Sequence, residues 1–379
     1  MKLIHLSDLH LGKRVNEYSM LEDQTYILRQ ILDIVYAEKP DAVLIAGDIY
    51  DKSVPSGEAV SIFDWFLNRL AFMKAPVFAI SGNHDSAERI AFGSTLMDGS
   101  GIHMSRIFMG IVKPFTIEDE YGEADIWMLP FLKPAAVRGY FDVETNTYTD
   151  AVRNAVDWMD IDRTRRNILV THQFVTGARR TDSEETSVGG ADNVDAEVFE
   201  PFDYVALGHL HSPQNCGSER IRYCGSPLKY SFSEAKDQKS VTVVEMDGEG
   251  NVSIRTVDLI PKHDMAEIRG TYQEVTRKAF YENTTWPEDY VHIILTDEED
   301  VPDAAAKLRL IYHRMMRLDY DNARTRSAGH IEGAGDVENR TPFELFSDFY
   351  EQQNNRPMGP EQEAYMRELI ARTWEEGER

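Results

Sequence analysis

Short apolar segments alternate with amphipathic helices over the first eighty residues of the chain. The segment Ala42 to Ala46 is apolar at every position, and the segments 2–6 and 76–80 are largely so. Between them, Gln24 to Glu38 and Ala59 to Phe72 carry apolar residues at helical spacing. A strand that is apolar on both faces must be covered on both, and parallel strands need long crossovers. We therefore predict an α/β fold built around a buried, largely parallel sheet.

The rest of the chain predicts three further regions. Strands are expected at 126–129, 167–171, 204–207, 220–223 and 240–246, so a first domain covers residues 1–262. A small α+β unit follows at 263–318, with strands at 267–271 and 290–295 and a helix from Ala304 to Arg317. Residues 319–340 are polar and contain three glycines, which is typical of a linker. Residues 341–379 predict a helix, a turn and a second helix, with Thr341 and Glu344 as a capping box.

Composition limits the class of protein. No apolar run approaches the roughly 20 residues needed to span a bilayer, and the first residues lack the apolar core of a signal peptide. We therefore expect a cytoplasmic protein. Cys216 and Cys224 are too few for a disulfide framework, and we predict two free thiols. The net charge of −25 argues against a simple nucleic-acid binder with a broad basic face.

Five short polar motifs each follow a strand-like segment. They contain carboxylate, amide and imidazole groups and no thiolate, a set that suits Mn, Fe or Zn better than a soft metal. The motifs are Asp8-Leu9-His10, Gly47-Asp48, Gly82-Asn83-His84-Asp85, His172, and Gly208-His209-Leu210-His211.

The spacing within the motifs suggests how they could meet. In an extended stretch Asp8 and His10 point to the same side, as do His209 and His211. A glycine before Asp48, Asn83 and His209 allows a sharp turn and a close approach to the site. The candidate metal ligands exceed the needs of one ion and suffice for two ions bridged by one carboxylate; they are Asp8, His10, Asp48, Asn83, His172, His209 and His211.

His84 differs from these candidates. It follows Asn83 directly, so it can lie over the site without being a ligand. We predict that His84 is the general acid for the leaving group, or a transition-state stabiliser.

The order of these motifs resembles the calcineurin-like metallophosphoesterase superfamily, and the match runs from Asp8 to His211. The resemblance implies a four-layered α/β/β/α sandwich with the metals at one edge. It implies that Asp48 takes part in catalysis as the ligand that bridges both ions. The implied set for one ion is Asp8, His10, Asp48 and His211, and that for the other is Asp48, Asn83, His172 and His209.

A finer resemblance narrows the branch. Residues 4–12, 46–51, 81–86 and 223–227, together with 341–346, resemble the D subunits of bacterial SbcCD nucleases. That family implies a double-strand DNA exonuclease that is also an endonuclease on single strands and hairpins, with Mn as the usual metal. It implies roles in DNA repair, recombination and replication, close to the nucleoid. It also implies a homodimer and, with an SMC-like coiled-coil ATPase, a heterotetramer. The 263–318 unit would cap DNA, and the C-terminal helices would dock on the coiled coil.

The residues themselves give two kinds of support for these partners. Phe343, Phe346 and Phe349 give the C-terminal helices an aromatic face that two short helices cannot bury alone, which marks a partner site unless they pack back on the main domain. The apolar helix Ala59 to Phe72 belongs either to the core or to the dimer contact. The candidate phosphate contacts are loop cations, namely Lys13, Arg14, Lys52 and Arg89, with Arg179 and Arg180 as further possibilities.

Two other functions compete on the same fold. A phosphoprotein phosphatase carries an arginine after its Gly-Asp motif, whereas Asp51 is followed here by Lys52 and Ser53. A small-molecule phosphatase or phosphodiesterase would not need the C-terminal helices. A metal-free scaffold is disfavoured because every ligand position of the motif set is filled.

Overall fold

The structure is a computed structural model and describes residues 1–184, 192–328, 341–354 and 357–377. The chain divides into two compact units, Met1–Asp264 and Met265–Arg379. This division falls two residues after the predicted boundary at residue 262. Within the described residues, no helix is both long and apolar enough to cross a membrane.

The first unit contains sixteen strands and six α-helices among its described residues. The strands are β1 (Lys2–Leu6), β2 (Arg14–Val15), β3 (Tyr18–Ser19), β4 (Ala42–Ala46), β5 (Val77–Ile80), β6 (Ile102–Met104), β7 (Phe115–Asp119), β8 (Gly122–Leu129), β9 (Arg166–His172), β10 (Phe174–Val175), β11 (Asn193–Val194), β12 (Tyr204–Gly208), β13 (Gln214–Cys216), β14 (Ser218–Tyr223), β15 (Ser240–Met246) and β16 (Val252–Asp258). The helices are α1 (Leu21–Glu38), α2 (Gly57–Phe72), α3 (Ala87–Ala91), α4 (Ser94–Met97), α5 (Pro134–Val137) and α6 (Tyr148–Asp157).

Two six-stranded sheets dominate this unit. Sheet I has the order β16-β15-β1-β4-β5-β6, and sheet II has the order β13-β14-β12-β9-β8-β7. The central strands β1, β4, β5 and β6 run parallel, as do β8, β9, β12 and β14. Antiparallel strands close the edges, including the hairpin β15–β16. The predicted buried parallel strands are therefore confirmed, but they lie in two sheets.

The two sheets pack face to face. One buried cluster joins Leu44 and Phe78 of sheet I to Ile126, Val170 and Ala206 of sheet II. The outer face of sheet II packs on α6, while α1 and α2 bury the apolar stripes that cover sheet I. The result is a helix–sheet–sheet–helix sandwich, so the implied four-layered fold is confirmed.

The burial pattern of α2 bears on whether this helix belongs to the core or to a dimer contact. Phe63, Phe66 and Leu70 are buried at intervals of three and four residues, which is the stripe that a core-facing helix shows. Ile62 and Leu67 are only half-buried. The aromatic residues Phe63 and Phe66 therefore belong to the core of the first unit.

The second unit is a small βαβαβ fold followed by helices. Its strands β17 (Met265–Gly270), β18 (Tyr290–Leu295) and β19 (Arg314–Tyr320) form a parallel sheet in that order. Its helices are α7 (Tyr272–Val275), α8 (Lys278–Tyr281), α9 (Ala304–Leu308), α10 (Ala323–Ala328), α11 (Pro342–Asn354) and α12 (Pro360–Gly377).

Two sequence predictions fail in the second unit. The helix expected from Ala304 to Arg317 ends at Leu308, and strand β19 occupies its last residues. Leu308, Tyr312 and Met315 all enter one core cluster at intervals of four and three residues, so helical spacing persists where the chain has already turned. Strand β19 and α10 also occupy the start of the predicted linker 319–340; residues 329–340 lie outside the described residues.

The C-terminal helix pair agrees with its prediction. The backbone N–H of Thr341 donates to the Glu344 carboxylate at 2.8 Å, and the N–H of Glu344 donates to Thr341 Oγ1 at 3.3 Å. This is a capping box at the start of α11. Pro360 begins α12 after the predicted break.

Candidate metal centre

The predicted ligands all lie at the carboxyl ends of parallel strands. His172 is the last residue of β9, and the other six follow the ends of β1, β4, β5 or β12 by one to four residues. Both sheets therefore contribute. Six of the seven are buried and Asn83 is half-buried. Ligands at such strand ends fit the usual position of sites in α/β sheets.

The backbone at these strand ends is left-handed rather than extended. Asp8, His10, Asp48 and His209 have φ angles of 52°, 44°, 48° and 104°. The expectation that Asp8 and His10 share one side of an extended stretch is therefore wrong. Instead, the N–H of Asp8 donates to the carbonyl of Gly47 at 3.0 Å and that of His10 to the carbonyl of Asp48 at 2.9 Å. Such backbone strain in non-glycine residues is concentrated at functional sites.

Four of the residues form a cluster that we call the Asp8 half: Asp8, His10, Asp48 and His211. The Nε2 atoms of His10 and His211 lie 3.0 Å apart, and His10 Nε2 lies 3.6 Å from Asp48 Oδ2. Asp8, His10 and His211 offer ligand atoms that all lie within 4.8 Å of one another.

The other cluster, the Asn83 half, contains Asp48, Asn83, His172 and His209. Asn83 Oδ1 lies 2.9 Å from both His172 Nε2 and His209 Nδ1. His172 Nε2 lies 3.4 Å from Asp48 Oδ2. Asp48 thus faces both halves, where a bridging carboxylate belongs.

Half-buried and buried side chains hold His211 of the Asp8 half. Ser183 Oγ lies 2.7 Å from His211 Nδ1 and donates to Glu234 at 2.6 Å, so the histidine N–H donates to the hydroxyl. Lys239 donates to Glu234 at 2.6 Å and to the carbonyl of His211 at 2.8 Å. Glu184 accepts the backbone N–H of His211 at 2.6 Å. Partners of this kind fix the tautomer and orientation of a ligating imidazole.

A second set of buried side chains holds the loop that carries His10. Gln24 of α1 donates to the carbonyl of His10 at 2.7 Å and accepts the N–H of Gly12 at 3.0 Å. The hydroxyl of Tyr230 donates to the carbonyl of Leu9 at 2.6 Å. These side-chain hydrogen bonds add to the backbone hydrogen bonds that join this loop to the loop after β4.

Backbone contacts hold the Asn83 half. His172 Nδ1 donates to the carbonyl of Ala46 at 2.8 Å, which ties sheet II to sheet I. A Cβ on Gly208 would overlap that same carbonyl oxygen, and a Cβ on Gly82 would overlap the carboxylate of Asp48. The predicted need for glycine at these positions arises from close approach rather than from the φ angle.

The arrangement of lone pairs fits bound cations. In each of His172 and His211, Nδ1–H donates a hydrogen bond. When the ring is neutral, Nε2 therefore carries a lone pair, which points into the centre. These atoms face Asn83 Oδ1 at 2.9 Å and His10 Nε2 at 3.0 Å. Facing acceptors repel unless a positive charge lies between them, and imidazole and carboxylate are ligands for divalent metals.

The electrostatics of the centre also favour positive charge. Burial alone would lower the pKa of His172, but the carboxylates of Asp48 and Asp8 and the hydrogen bond to a backbone carbonyl together outweigh it and raise this pKa to about 9. A proton on His172 therefore supplies the positive charge that a bound cation would replace. Burial would raise the pKa of Asp48, yet His172 and His10 hold it well below its usual range. Burial keeps the pKa values of His10 and His209 well below normal, so both offer neutral lone pairs.

Comparison with known proteins agrees with this geometry. Residues 1–213 match the calcineurin-like phosphoesterase family, and residues 261–354 match the family described as the type 5 capsule protein repressor C-terminal domain. The D subunit of the SbcCD nuclease of Staphylococcus epidermidis is 31% identical over 379 residues, covering 98% of each chain. The corresponding protein of Staphylococcus saprophyticus is 31% identical over 382 residues, covering 100% of each chain.

The chain belongs to the family of SbcCD nuclease D subunits. Members are metal-dependent hydrolases, so the chain is an enzyme that uses divalent metal rather than a metal-free scaffold. Among solved structures, a dimetal phosphatase from Danio rerio is 12% identical, with a TM-score of 0.41 over 69% of this chain and 98% of that one.

In this member of the SbcCD nuclease family, His84 lies at the edge of the ligand cluster. Its backbone N–H donates to Asp48 Oδ1 at 2.9 Å, and its Nδ1 donates to the carbonyl of Asp51 at 3.1 Å. Its Nε2 lies 3.9 Å from Asp48 Oδ2 and is therefore turned towards the centre. The side chain is 15% exposed, against 3% for that of Asp48, so His84 is the more open of the two.

Asp85 joins the loops that follow β4 and β5. Its carboxylate accepts the backbone N–H groups of Ile49, Tyr50 and Gly82 at 2.9–3.0 Å. Burial, followed by the charge of Asp48, raises the pKa of Asp85 to about 6. The sequence pattern assigned Asp85 no role, although it lies in the Gly82–Asp85 motif.

The predicted phosphate contacts have different surroundings. Lys13 forms an ion pair with Asp51 at 2.8 Å, and its side chain is only 14% exposed. The guanidinium of Arg14 donates to the carbonyl of Glu17, while Lys52 and Arg89 are exposed. Both cysteines are free and buried, as predicted.

Arg179 and Arg180 are also held by neighbours. The backbone N–H of Arg179 donates to Gln214 at 2.9 Å. Arg180 pairs with Asp192 at 2.6 Å and lies 3.8 Å over the ring of Phe174. Arg180 is therefore not a free surface cation.

Proposed function

We propose that this chain is a dinuclear-metal DNA nuclease, the cutting component of an SMC-like ATPase–nuclease complex. The observation that carries the proposal is the pair of ligand clusters that share Asp48 at the edge of two sheets. Full-length similarity to the D subunits of SbcCD nucleases supports DNA as the substrate. The family activities are the expected ones, namely exonuclease on duplex ends and endonuclease on single strands and hairpins, acting in DNA repair, recombination and replication.

The two halves of the centre would each hold one ion, and Mn is the metal we propose. Asp8, His10 and His211 serve one ion, Asn83, His172 and His209 serve the other, and Asp48 serves both. Two such ions, when bound, activate a water molecule and neutralise charge on the phosphate oxygens. The carboxylate, amide and imidazole donors match that choice of metal.

We assign to His84 the protonation or stabilisation of the leaving oxygen. The Asp51 carbonyl accepts a hydrogen bond from Nδ1–H, so Nε2 faces the centre, where it can donate when the ring carries both protons. A hydrogen bond from His84 to the leaving oxygen would stabilise the transition state more than the ground state, which is the requirement for catalysis.

DNA approaches this centre across an acidic protein, so the phosphate contacts must be local. Lys52 is exposed on the loop after β4, and Arg89 is exposed on α3 rather than on the predicted loop. Arg14 begins β2, which follows the His10 loop. Lys13 would reach a phosphate by leaving its ion pair with Asp51. If these cations bind the DNA backbone, affinity will fall as the salt concentration rises.

The second unit supplies the other proposed contacts. We assign residues 263–318 to capping of DNA and residues 341–379 to the ATPase partner. Phe349 and Tyr365 are 56% and 65% exposed on α11 and α12, and such exposed aromatic surface is typical of partner sites. The partner's own contacts then supply much of the DNA grip, close to the nucleoid.

We also propose a homodimer through the first unit, and a heterotetramer with two ATPase chains. Phe92 and Leu96, next to the metal loops, are 84% and 87% exposed. Val60 of α2 is a further exposed apolar side chain of the first unit. Large exposed apolar side chains of this kind fit an interface between copies.

The deciding experiment compares linear duplex DNA with a nitrophenyl phosphate monoester, each with and without Mn. We expect cleavage of DNA that requires Mn and little hydrolysis of the monoester. Rapid monoester hydrolysis without DNA cleavage would assign the chain to the phosphatases of the same fold. Inactivity on both substrates, with no bound metal, would favour a scaffold.

A second experiment addresses the partner. Removing residues 341–379 should abolish copurification with the host's coiled-coil ATPase while Mn-dependent cleavage by the isolated chain persists. Unchanged copurification would contradict the role assigned to the C-terminal helices.

A further inference from the structure

A pocket lies between the last turns of α1 and α2 in the first unit. It has a volume of about 560 Å³, and Val35, Pro40 and Ala75 form part of its apolar lining. Tyr36 and Phe72 also line the pocket, and they are 71% and 84% exposed. Aromatic side chains exposed to this extent beside a concave apolar surface are unusual for a monomer and suggest a bound partner.

The charge around this pocket is opposite to that of the protein. Lys39, Arg69 and Lys74 line it, and no acidic residue does. The whole chain has 65 acidic against 40 basic residues. All three cations are exposed, and none forms an ion pair with any residue in the described part of the chain. A local excess of unpaired positive charge on an acidic protein favours an anionic ligand.

The pocket lies at the opposite edge of sheet I from the metal centre. Pro40 and Ala75 precede β4 and β5, whereas Asp48 and Asn83 follow those strands. Four to five residues of strand separate the two edges, roughly 15 Å at 3.3 Å per residue. The pocket is therefore not a continuation of the substrate site.

We propose that this pocket docks an acidic peptide segment of a partner protein, with one large apolar side chain inserted between Tyr36 and Phe72. The cations Lys39, Arg69 and Lys74 then pair with the carboxylates that flank this apolar residue. The apolar lining provides affinity by burial, and the three cations provide selectivity for acidic sequence.

The lining distinguishes a peptide from single-stranded nucleic acid. Sites for single strands combine a groove that follows the phosphates with aromatic rings on which bases stack. Val35, Pro40 and Ala75 are aliphatic, and none of their side chains can hydrogen-bond the polar edge of a base. An aliphatic or phenyl side chain fits such walls better.

Binding can be measured with a fluorescein-labelled peptide of six aspartates followed by one phenylalanine, using the full-length protein. We expect saturable binding that weakens with salt. Replacing the phenylalanine of the probe with serine should weaken binding at least tenfold. The variants Phe72→Ser and Arg69→Glu with Lys74→Glu should do the same. Arg153→Glu, which alters an exposed cation on α6, should bind like the parent protein.

Other results would overturn the proposal. Equal affinity for the phenylalanine and serine probes would mean that only charge is sensed. Stronger binding of a ten-nucleotide oligo-dT, lost in the same variants, would assign the pocket to single-stranded DNA. No probe binding, together with a smaller mass by light scattering in the Phe72 variant, would make it a contact between copies. Unchanged melting temperature and Mn-dependent DNA cleavage establish that the variants are folded.

Discussion

The two halves of the metal centre are held in place by different means. In the Asp8 half, side chains far apart in sequence orient the proposed ligands: Ser183, Glu234 and Lys239 hold His211, and Gln24 holds the His10 loop. In the Asn83 half, the Ala46 carbonyl holds His172, and glycines allow the backbone to approach. Each side chain of the first network can be replaced separately by mutation. In the second half the backbone packs so closely that one added side-chain atom would overlap it.

The shared ligand should give the largest effect. Asp48→Asn removes the charge that both halves use, so we expect both ions to be lost. Cleavage should then fall by at least about 10³-fold, since several kcal/mol of charge stabilisation goes with the metals. Metal content by mass spectrometry and the cleavage rate test this. Retention of one ion at full affinity would contradict a bridging position.

His84→Ala separates chemistry from metal binding in both halves. We expect cleavage to fall by about 10²–10⁴-fold, the usual contribution of a positioned acid. Both ions should remain, because His84 is assigned no ligand role. Loss of metal in parallel with activity would instead make His84 a ligand.

Gly82→Ala probes the half that is held by the backbone. Its Cβ would overlap the carboxylate of the shared Asp48, and Asn83 follows directly. Both ions should therefore bind less tightly, that of the Asn83 half most, and the unit should be destabilised by about 1–3 kcal/mol. Gly57→Ala is the matched control, because a Cβ there meets no atom within 4 Å. Metal content and thermal melting distinguish the two variants. Equal metal content and equal melting temperature in the two variants would mean that the loop after β5 shifts to accept the added Cβ.

Glu234→Gln probes the half that is held by side chains, with a smaller expected effect. His211 keeps its position less well, and metal affinity of the Asp8 half should fall by about 10–100-fold. The Asn83 half should keep its affinity. Ser183→Ala, which keeps the Glu234–Lys239 pair, provides a milder version if the first variant folds poorly. Titration with Mn, followed by paramagnetic resonance, resolves the two sites. An equal loss at both would remove the distinction between the halves.

The candidate ligands could be identified from the sequence alone, but the side chains that hold them could not. The ligand candidates stand in short motifs at the ends of apolar strands, and local pattern identifies both. Gln24, Glu234 and Lys239 carry no motif and reach the centre only through the tertiary fold. The left-handed backbone at Asp8 and His10 could not be predicted from their spacing, because an extended segment also allows both side chains to reach one ion.

The second unit shows the limit of periodicity. Leu308, Tyr312 and Met315 keep helical spacing across a turn, so a strand was predicted as helix. Only the pairing of β19 with β18 resolves this ambiguity. Pairing between strands joins residues that are distant in sequence, and a single sequence does not encode it locally.

The hydrogen bond between His172 and the Ala46 carbonyl joins the two sheets, so the geometry of the metal centre depends on the distance between them. Ligands from sheet I and sheet II keep their separation only while the layer of side chains between the sheets keeps its thickness. Substitutions that change side-chain volume at Phe78 or Ile126, which are not candidate ligands, would then change the rate of cleavage. A laboratory selection for altered metal preference should therefore recover substitutions in that interlayer core as well as in the motifs.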